Sequence, residues 1–229
     1  MIVITANQLH AAEQDTPELS AVAGLNSIFG DRLPLSHSGE LGEEFQMLVD
    51  TGELAMAVAL VLTRGGQWSV GIGVGTAVEP LDESVQSGSG NAFVAAHGAV
   101  LRARKKSTHL AVAAQPRHQL ARDAEALADL LLILRARRSS QGWEIHDLLA
   151  TGLTQAEAAG RMGITPQSAS KRARAAEIKA EDAAVGPLAR LLDRLDESVT
   201  VPAARPAVRP SAQAESPTSV ETRSGGLGG

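Results

Sequence analysis

Cysteine is absent from the 229-residue chain, which removes disulfides, thiolate catalysis and sulfur-ligated metal sites together. Tyrosine is absent too. Aromatic residues are only 2% of a composition that is 44% hydrophobic, so the core has to be built from Ala, Val, Leu and Ile. The six histidines, at positions 10, 37, 97, 109, 118 and 146, offer no pair at metal-ligand spacing, and no metal site is expected from them. No apolar run reaches the ~18 residues of a membrane span. The opening MIVITANQLH lacks the basic region and long apolar stretch of a signal peptide. These absences lead to the expectation of a soluble, cytoplasmic protein with no membrane partner and no cofactor. The length allows one or two domains with a proper core, and the alanine and arginine bias fits a GC-rich bacterial genome.

The net charge of −5 argues against nucleic acid until it is divided along the chain. Residues 1–140 carry 11 basic and 15 acidic groups, residues 141–177 carry 4 of each, residues 178–198 carry 3 and 5, and the remainder is net +1. What matters for DNA is a local basic face, and the neutral segment 141–177 is where one can arise.

The first half alternates strand-like and helix-like segments. Ile2 to Thr5 reads as a strand, and Thr16-Pro17 opens a helix to about Ile28. Leu33 to His37 and Phe45 to Val49 read as a hairpin about the turn 39–44. Thr51 to Leu62 has helical apolar spacing, Trp68 to Val74 reads as a buried strand, Ala92 to Lys106 as a helix and Leu110 to Ala113 as a strand. The predicted order β-α-β-β-α-β-α-β suggests a sheet with helices on one face. A helix over 118–138 follows, with Leu120, Leu127, Leu131 and Leu134 on one face, and Ser139-Ser140 as a joint. A last helix over 186–196 places Leu188, Leu191, Leu192 and Leu195 together, and from Val199 the composition predicts disorder. The expected fold class is therefore an α+β module over 1–115, a connecting helix over 116–140, an all-α helix-turn-helix domain over 141–177, a C-terminal helix over 178–198 and a disordered tail over 199–229.

The segment Leu153 to Ala176 carries the chemistry. Thr154 and Glu157 have capping-box spacing and start a helix at Gln155. Ala158, Ala159 and Met162 form its inner face, Gly163 supplies a tight turn, and Ile164 anchors that turn. Thr165-Pro166 restarts a helix with Ala169 and Ala173 inward. Its outer face presents Gln167, Ser168, Ser170, Lys171, Arg172 and Arg174. A helix fits the major groove of B-DNA, where side chains near its N-terminus reach base edges and basic groups meet phosphates. Gln167, Ser168 and Lys171 are the expected base contacts; Arg161, Ser170, Arg172 and Arg174 are the expected phosphate contacts. Trp143, Ile145, Leu148 and Leu149 complete a three-helix core. The spacing resembles the helix-turn-helix of sigma-factor region 4 and of many small bacterial regulators.

A second resemblance starts at Gly42-Glu43-Glu44-Phe45. This is similar to the hairpin turn of nucleotidyl-cyclase-fold domains, including the GGDEF turn of diguanylate cyclases. The helix that follows, the strand Trp68 to Val74 and the helix ending in Arg102 to Lys106 extend the likeness. With the first strand, the arrangement also resembles the SatD family of small bacterial proteins, whose actinobacterial members join such a module to a C-terminal helix-turn-helix. Cyclase chemistry would need two metal ions held by carboxylates after the first strand and in the turn. Here Asn7 stands near the end of the first strand and Leu41 stands at the first turn glycine, so the module reads as non-catalytic. Nucleotide or Mg²⁺ binding is the alternative, through Asn7, Glu43, Glu44 and the glycines Gly88 and Gly90 before a helix N-terminus. The bland reading of Ser87 to Asn91 is a flexible loop. The run Arg102 to Lys106 either complements its own helix end or touches DNA phosphates.

The leading expectation is a DNA-binding transcriptional regulator, not an enzyme, acting as a homodimer on double-stranded DNA. The leucine faces of the helices at 118–138 and 186–196 either supply the dimer contact or pack within one chain. The alternatives are a nucleotide-binding or weakly active cyclase-like enzyme, and a module that docks RNA polymerase or another protein.

Overall fold

The computed structural model describes residues 1–9, 17–30, 33, 36–38, 44–76 and 90–197. The expected Thr16 cap, most of the turn at 39–44 with Leu41 and Glu43, the loop containing Gly88, and the chain from residue 199 lie outside them. The fold is α+β. The strands are β1 (Ile2–Gln8), β2 (Ser36–Ser38), β3 (Glu44–Val49), β4 (Trp68–Val74) and β5 (Leu110–Ala114). They form one mixed sheet in the order β2-β3-β1-β4-β5, antiparallel except for the parallel β4–β5 pair. The helices among the described residues are α1 (Pro17–Phe29), α2 (Gly52–Leu62), α3 (Asn91–Ala103), α4 (His118–Ala136), α5 (Ser140–Ala150), α6 (Gln155–Arg161), α7 (Pro166–Ala175) and α8 (Ile178–Glu197).

Helices cover both faces of the sheet, not one as the sequence suggested. Alternation along the strands divides the side chains. Ile2, Ile4, Val70, Ile72 and Val112 join α1, α2, α4 and α8 in the main core. On the other face Val3 meets Phe93 and Ala96 of α3, and Ala111 meets Ala99 and Ala103. That second face leaves no room for a side chain at two positions of β4. A Cβ on Gly71 would run into the backbone of Ala96 and Val100, and one on Gly73 into that of Ala92 and Ala96. The glycines of WSVGIGV thus bring α3 down onto the strand, which is why β4 is buried along its whole length. The two central aromatics, Phe45 and Trp68, meet edge to face at 5.0 Å.

The edge strand β5 is closed by side chains. Glu125 of α4 accepts from the Val112 N–H at 2.8 Å, and Arg102 of α3 donates to the Val112 carbonyl at 2.9 Å. Arg102 and Lys106 both bond Glu125 at 2.8 Å, and Lys106 bonds Asp129 at 2.8 Å. These two cations of the 102–106 run are therefore occupied at the sheet edge, which blocks pairing with another strand.

Two helices differ from their sequence patterns. In α4 the inward stripe is Ala121, Ala124, Ala128 and Leu131, whereas Leu127 is 48% exposed. Leu120 and Leu134 of the expected face also pack against the core; counting leucines alone missed the alanines, whose small side chains let α4 lie close to β5. The C-terminal helix expected over 178–198 runs from Ile178 to Glu197, so the leucine-bearing stretch 186–196 is only its second half, and Gly186 and Pro187 lie inside it. An interior proline costs ~3 kcal/mol, offset here by burial of Leu188, Ala189, Leu192 and Leu195. Those leucines pack against α2 and α4 within the chain, and Asp193 accepts from the Gly52 N–H at 2.5 Å. The leucine face of α8 is consequently unavailable to a dimer. The expected joint at Ser139-Ser140 is a tight cap instead: the Ser139 hydroxyl accepts from the Gly142 N–H at 3.1 Å.

Candidate nucleic-acid interface

Helices α5, α6 and α7 share a small core of their own, built from Ile145, Ala158, Ala159, Ala169, Ala173 and Ala176. Local chemistry sets each boundary. Thr154 accepts from the Glu157 N–H at 3.3 Å while the Glu157 carboxylate accepts from the Thr154 N–H at 2.8 Å, a complete capping box. These bonds, from the backbone and then the hydroxyl of Thr154, hold the Glu157 carboxyl below the usual glutamate range. Gly163 at φ 64° ends α6 in a Schellman motif: Ile164 N–H bonds the Ala159 carbonyl at 3.0 Å and Gly163 N–H bonds the Gly160 carbonyl at 3.3 Å. Thr165 then caps α7, accepting from the Ser168 N–H at 3.2 Å, with Pro166 in the first turn.

With ~100° per residue, Lys171 stands opposite the buried pair Ala169 and Ala173, flanked by Gln167, Ser168 and Arg174. All four are exposed, as is Arg161 at the end of α6. The Ser168 hydroxyl accepts from that of Thr165 at 3.0 Å, which ties it to the cap. Arg172 and Ser170 sit on the flanks and are half-buried. Ser170 and Arg174 line a groove of about 370 Å³ that also holds Glu177 and Asp182. The structure therefore brings Gln167, Lys171 and Arg161 to open surface and turns Ser170 sideways.

The other predicted residues lie on the sheet. In register, Asn7 sits between Glu44 of β3 and Ser69 of β4, on the face that carries α3. Asn7 Oδ1, Ser69 Oγ and Thr5 Oγ1 are buried and make no hydrogen bond. His97 of α3 approaches Glu44 at 3.4 Å. Gly90, at φ 136°, precedes α3 in a conformation that favours glycine. Asn7 and Glu44 are thus brought together. No cluster of metal-ligating side chains is found among the described residues, and no helix there is long and apolar enough to cross a membrane.

Sequence reasoning missed the polar cluster that joins the two regions. Glu181 of α8 pairs with Arg135, and with Arg138 at 2.5 Å. Arg135 also donates to the Leu60 carbonyl at 3.0 Å, and Arg138 to that of Ala176 at 2.9 Å. Arg64, Arg135 and Arg138 all lie over the Trp143 ring, at 4.2, 4.9 and 4.4 Å. Arg64 forks onto Asp147 at 2.7 and 2.8 Å. Burial, then the nearness of Arg138 and Arg64, lowers the Arg135 pKa to about 10. Burial, with Arg138 and Arg135 nearby, lowers that of His146 against the pull of Asp147. The available signal was two arginines interrupting the apolar end of α4 three residues apart. No protein-family model matches the chain, and neither the curated proteins nor the solved structures searched yield a match.

Proposed function

We propose that the chain is a DNA-binding transcriptional regulator in which α6 and α7 act as a helix-turn-helix and α7 enters the major groove. The observation that carries this is the outer face of α7. Lys171, Gln167 and Arg174 project from a helix whose opposite face is sealed by alanines, with Arg161 beside them. In this reading Gln167 and Lys171 touch base edges, and Arg161, Arg172 and Arg174 touch phosphates. The sheet region is a non-catalytic, cyclase-like and SatD-like module used for sensing, in a cytoplasmic protein. A two-fold site needs two copies. With the α8 leucines used inside the chain, pairing falls to the outward Leu127 and Leu130 of α4.

The test is a mobility shift with genomic fragments over a range of salt. Binding should weaken steeply with salt, Arg161→Ala should reduce the salt slope by about 1, and Lys171→Ala should weaken binding and relax its sequence preference. Affinity indifferent to salt and to both substitutions would exclude direct DNA binding and leave docking to RNA polymerase or another protein.

A second reading rests on the unbonded row Thr5, Asn7 and Ser69 beside Glu44. Buried polar groups ordinarily find partners, so this row supports a small ligand, a nucleotide among the candidates, held under α3. Incubation with labelled NTPs and Mg²⁺ or Mn²⁺ separates binding from cyclisation; a cyclic product would make the module an enzyme.

A further inference from the structure

A cleft of about 540 Å³ lies where the turn after α2, the turn before β5 and the end of α4 meet Trp143. That volume is in the ordinary range for small-molecule sites. Its polar lining includes Arg64, Arg135, Arg137, His109, Ser107 and Thr108; no carboxylate lines it among the described residues, and the nearby Asp129 is held by the Thr108 hydroxyl, which donates to it at 2.6 Å. Leu132 and Ile133 supply an apolar wall. The acids that answer these cations, Glu181 and Asp147, are outside the lining, and both are already engaged. Four arginines, counting Arg138 behind Trp143, therefore face two carboxylates. The Arg138 Nη1 and His109 Nδ1 atoms are buried without a hydrogen bond. His109 also holds a left-handed backbone at φ 51°, a conformation that is unfavourable for a non-glycine residue and concentrates at functional sites.

We infer that this cleft binds a small organic phosphate, its phosphoryl group between Arg64, Arg137 and the hydroxyl of Ser107, its apolar part against Leu132 and Ile133. Convergent donors from separate elements suit a phosphoryl group, whose three oxygens accept from several directions. Three guanidiniums crowd the Trp143 ring, so the organic part lies along the aliphatic wall and is not stacked on the indole. The site is distinct from the α7 surface and from the Asn7 row, and its occupancy does not depend on DNA binding.

The experiment is calorimetric titration of the full chain with AMP, inorganic phosphate and adenosine at low salt. AMP should bind saturably, inorganic phosphate more weakly and adenosine not at all. One lost charge-assisted hydrogen bond should raise the AMP dissociation constant by roughly tenfold or more in Arg64→Ala and in Arg137→Gln. Arg137 is exposed, so its variant should melt like the wild type and report on the site even if Arg64→Ala is less stable. Absence of saturable binding, or binding unchanged in Arg137→Gln, would overturn the assignment.

Discussion

The sheet region and the α5–α7 unit bury different kinds of side chain. The first packs Ile, Val, Leu, Phe and Met between helices on both faces, and recruits α4 and α8 to complete that core. The second relies on five buried alanines and two isoleucines, with caps at each helix start. Alanines let helices approach closely but remove little apolar area from water, at ~25 cal/mol per Å². A unit so built keeps its outer face free for a partner and takes much of its support from outside itself. That support is the buried cluster in which Glu181 answers Arg135 and Arg138.

The comparison breaks most directly at Glu181. Glu181→Ala leaves two buried guanidiniums without their acid and should cost about 3–5 kcal/mol, read as a lower urea midpoint. A loss of stability no larger than that of a surface substitution would mean that the two regions do not lean on each other. Leu192→Ala comes next. It should cost about 2–5 kcal/mol because α8 belongs to the sheet core; an almost unchanged melting curve would place α8 outside it.

A smaller effect comes from acid. Burial opposes ionisation of Glu125, but the bonds from Lys106, Val112 and Arg102 outweigh it and set its pKa below the usual 4.5. The folded value is the depressed one, so its contribution is present above about 4.5 and is lost as pH falls through the folded value. Glu125→Gln should accordingly flatten the loss of stability between about pH 5 and pH 3, whereas an unchanged acid limb would show that the β5 edge lock contributes nothing. The smallest effect sharpens the contrast from the other side. Glu177 ends α7 with φ 53°, where glycine is at ease. Glu177→Gly should stabilise the chain by ~0.5–1 kcal/mol, measured by thermal melting.

Much of this was legible because it is local. Strand order along the chain, the start of α6 at Gln155, the Gly163 turn and the Pro166 restart all follow from residues a few positions apart. The inward stripe of α4 was hidden because alanine is a weak hydrophobic signal. The unbroken passage of α8 through Gly186-Pro187 was hidden because that pair imitates a helix beginning. The Arg135–Glu181 pair spans 46 positions, and nothing short-range announces it. For the candidate interface, Gln167, Lys171 and Arg161 emerge on open surface as the pattern implied, whereas the sideways placement of Ser170 depends on where α8 begins.

The return of α8 to the sheet has a consequence in time. The chain leaves the sheet layer at the end of α4, makes three helices, and comes back only with the leucines 188 to 195. During synthesis at about 5–20 residues per second, the ~60 residues between Leu132 and Leu195 take roughly 3–12 seconds. Throughout that interval α2 and α4 exist with their shared apolar groove uncovered, while α5 to α7 have their local caps but still await the Glu181 cluster that supports them. The last helix to be made is thus the one that completes the first region to be made, and a ribosome paused within it would hold an unfinished sheet layer for chaperones to find.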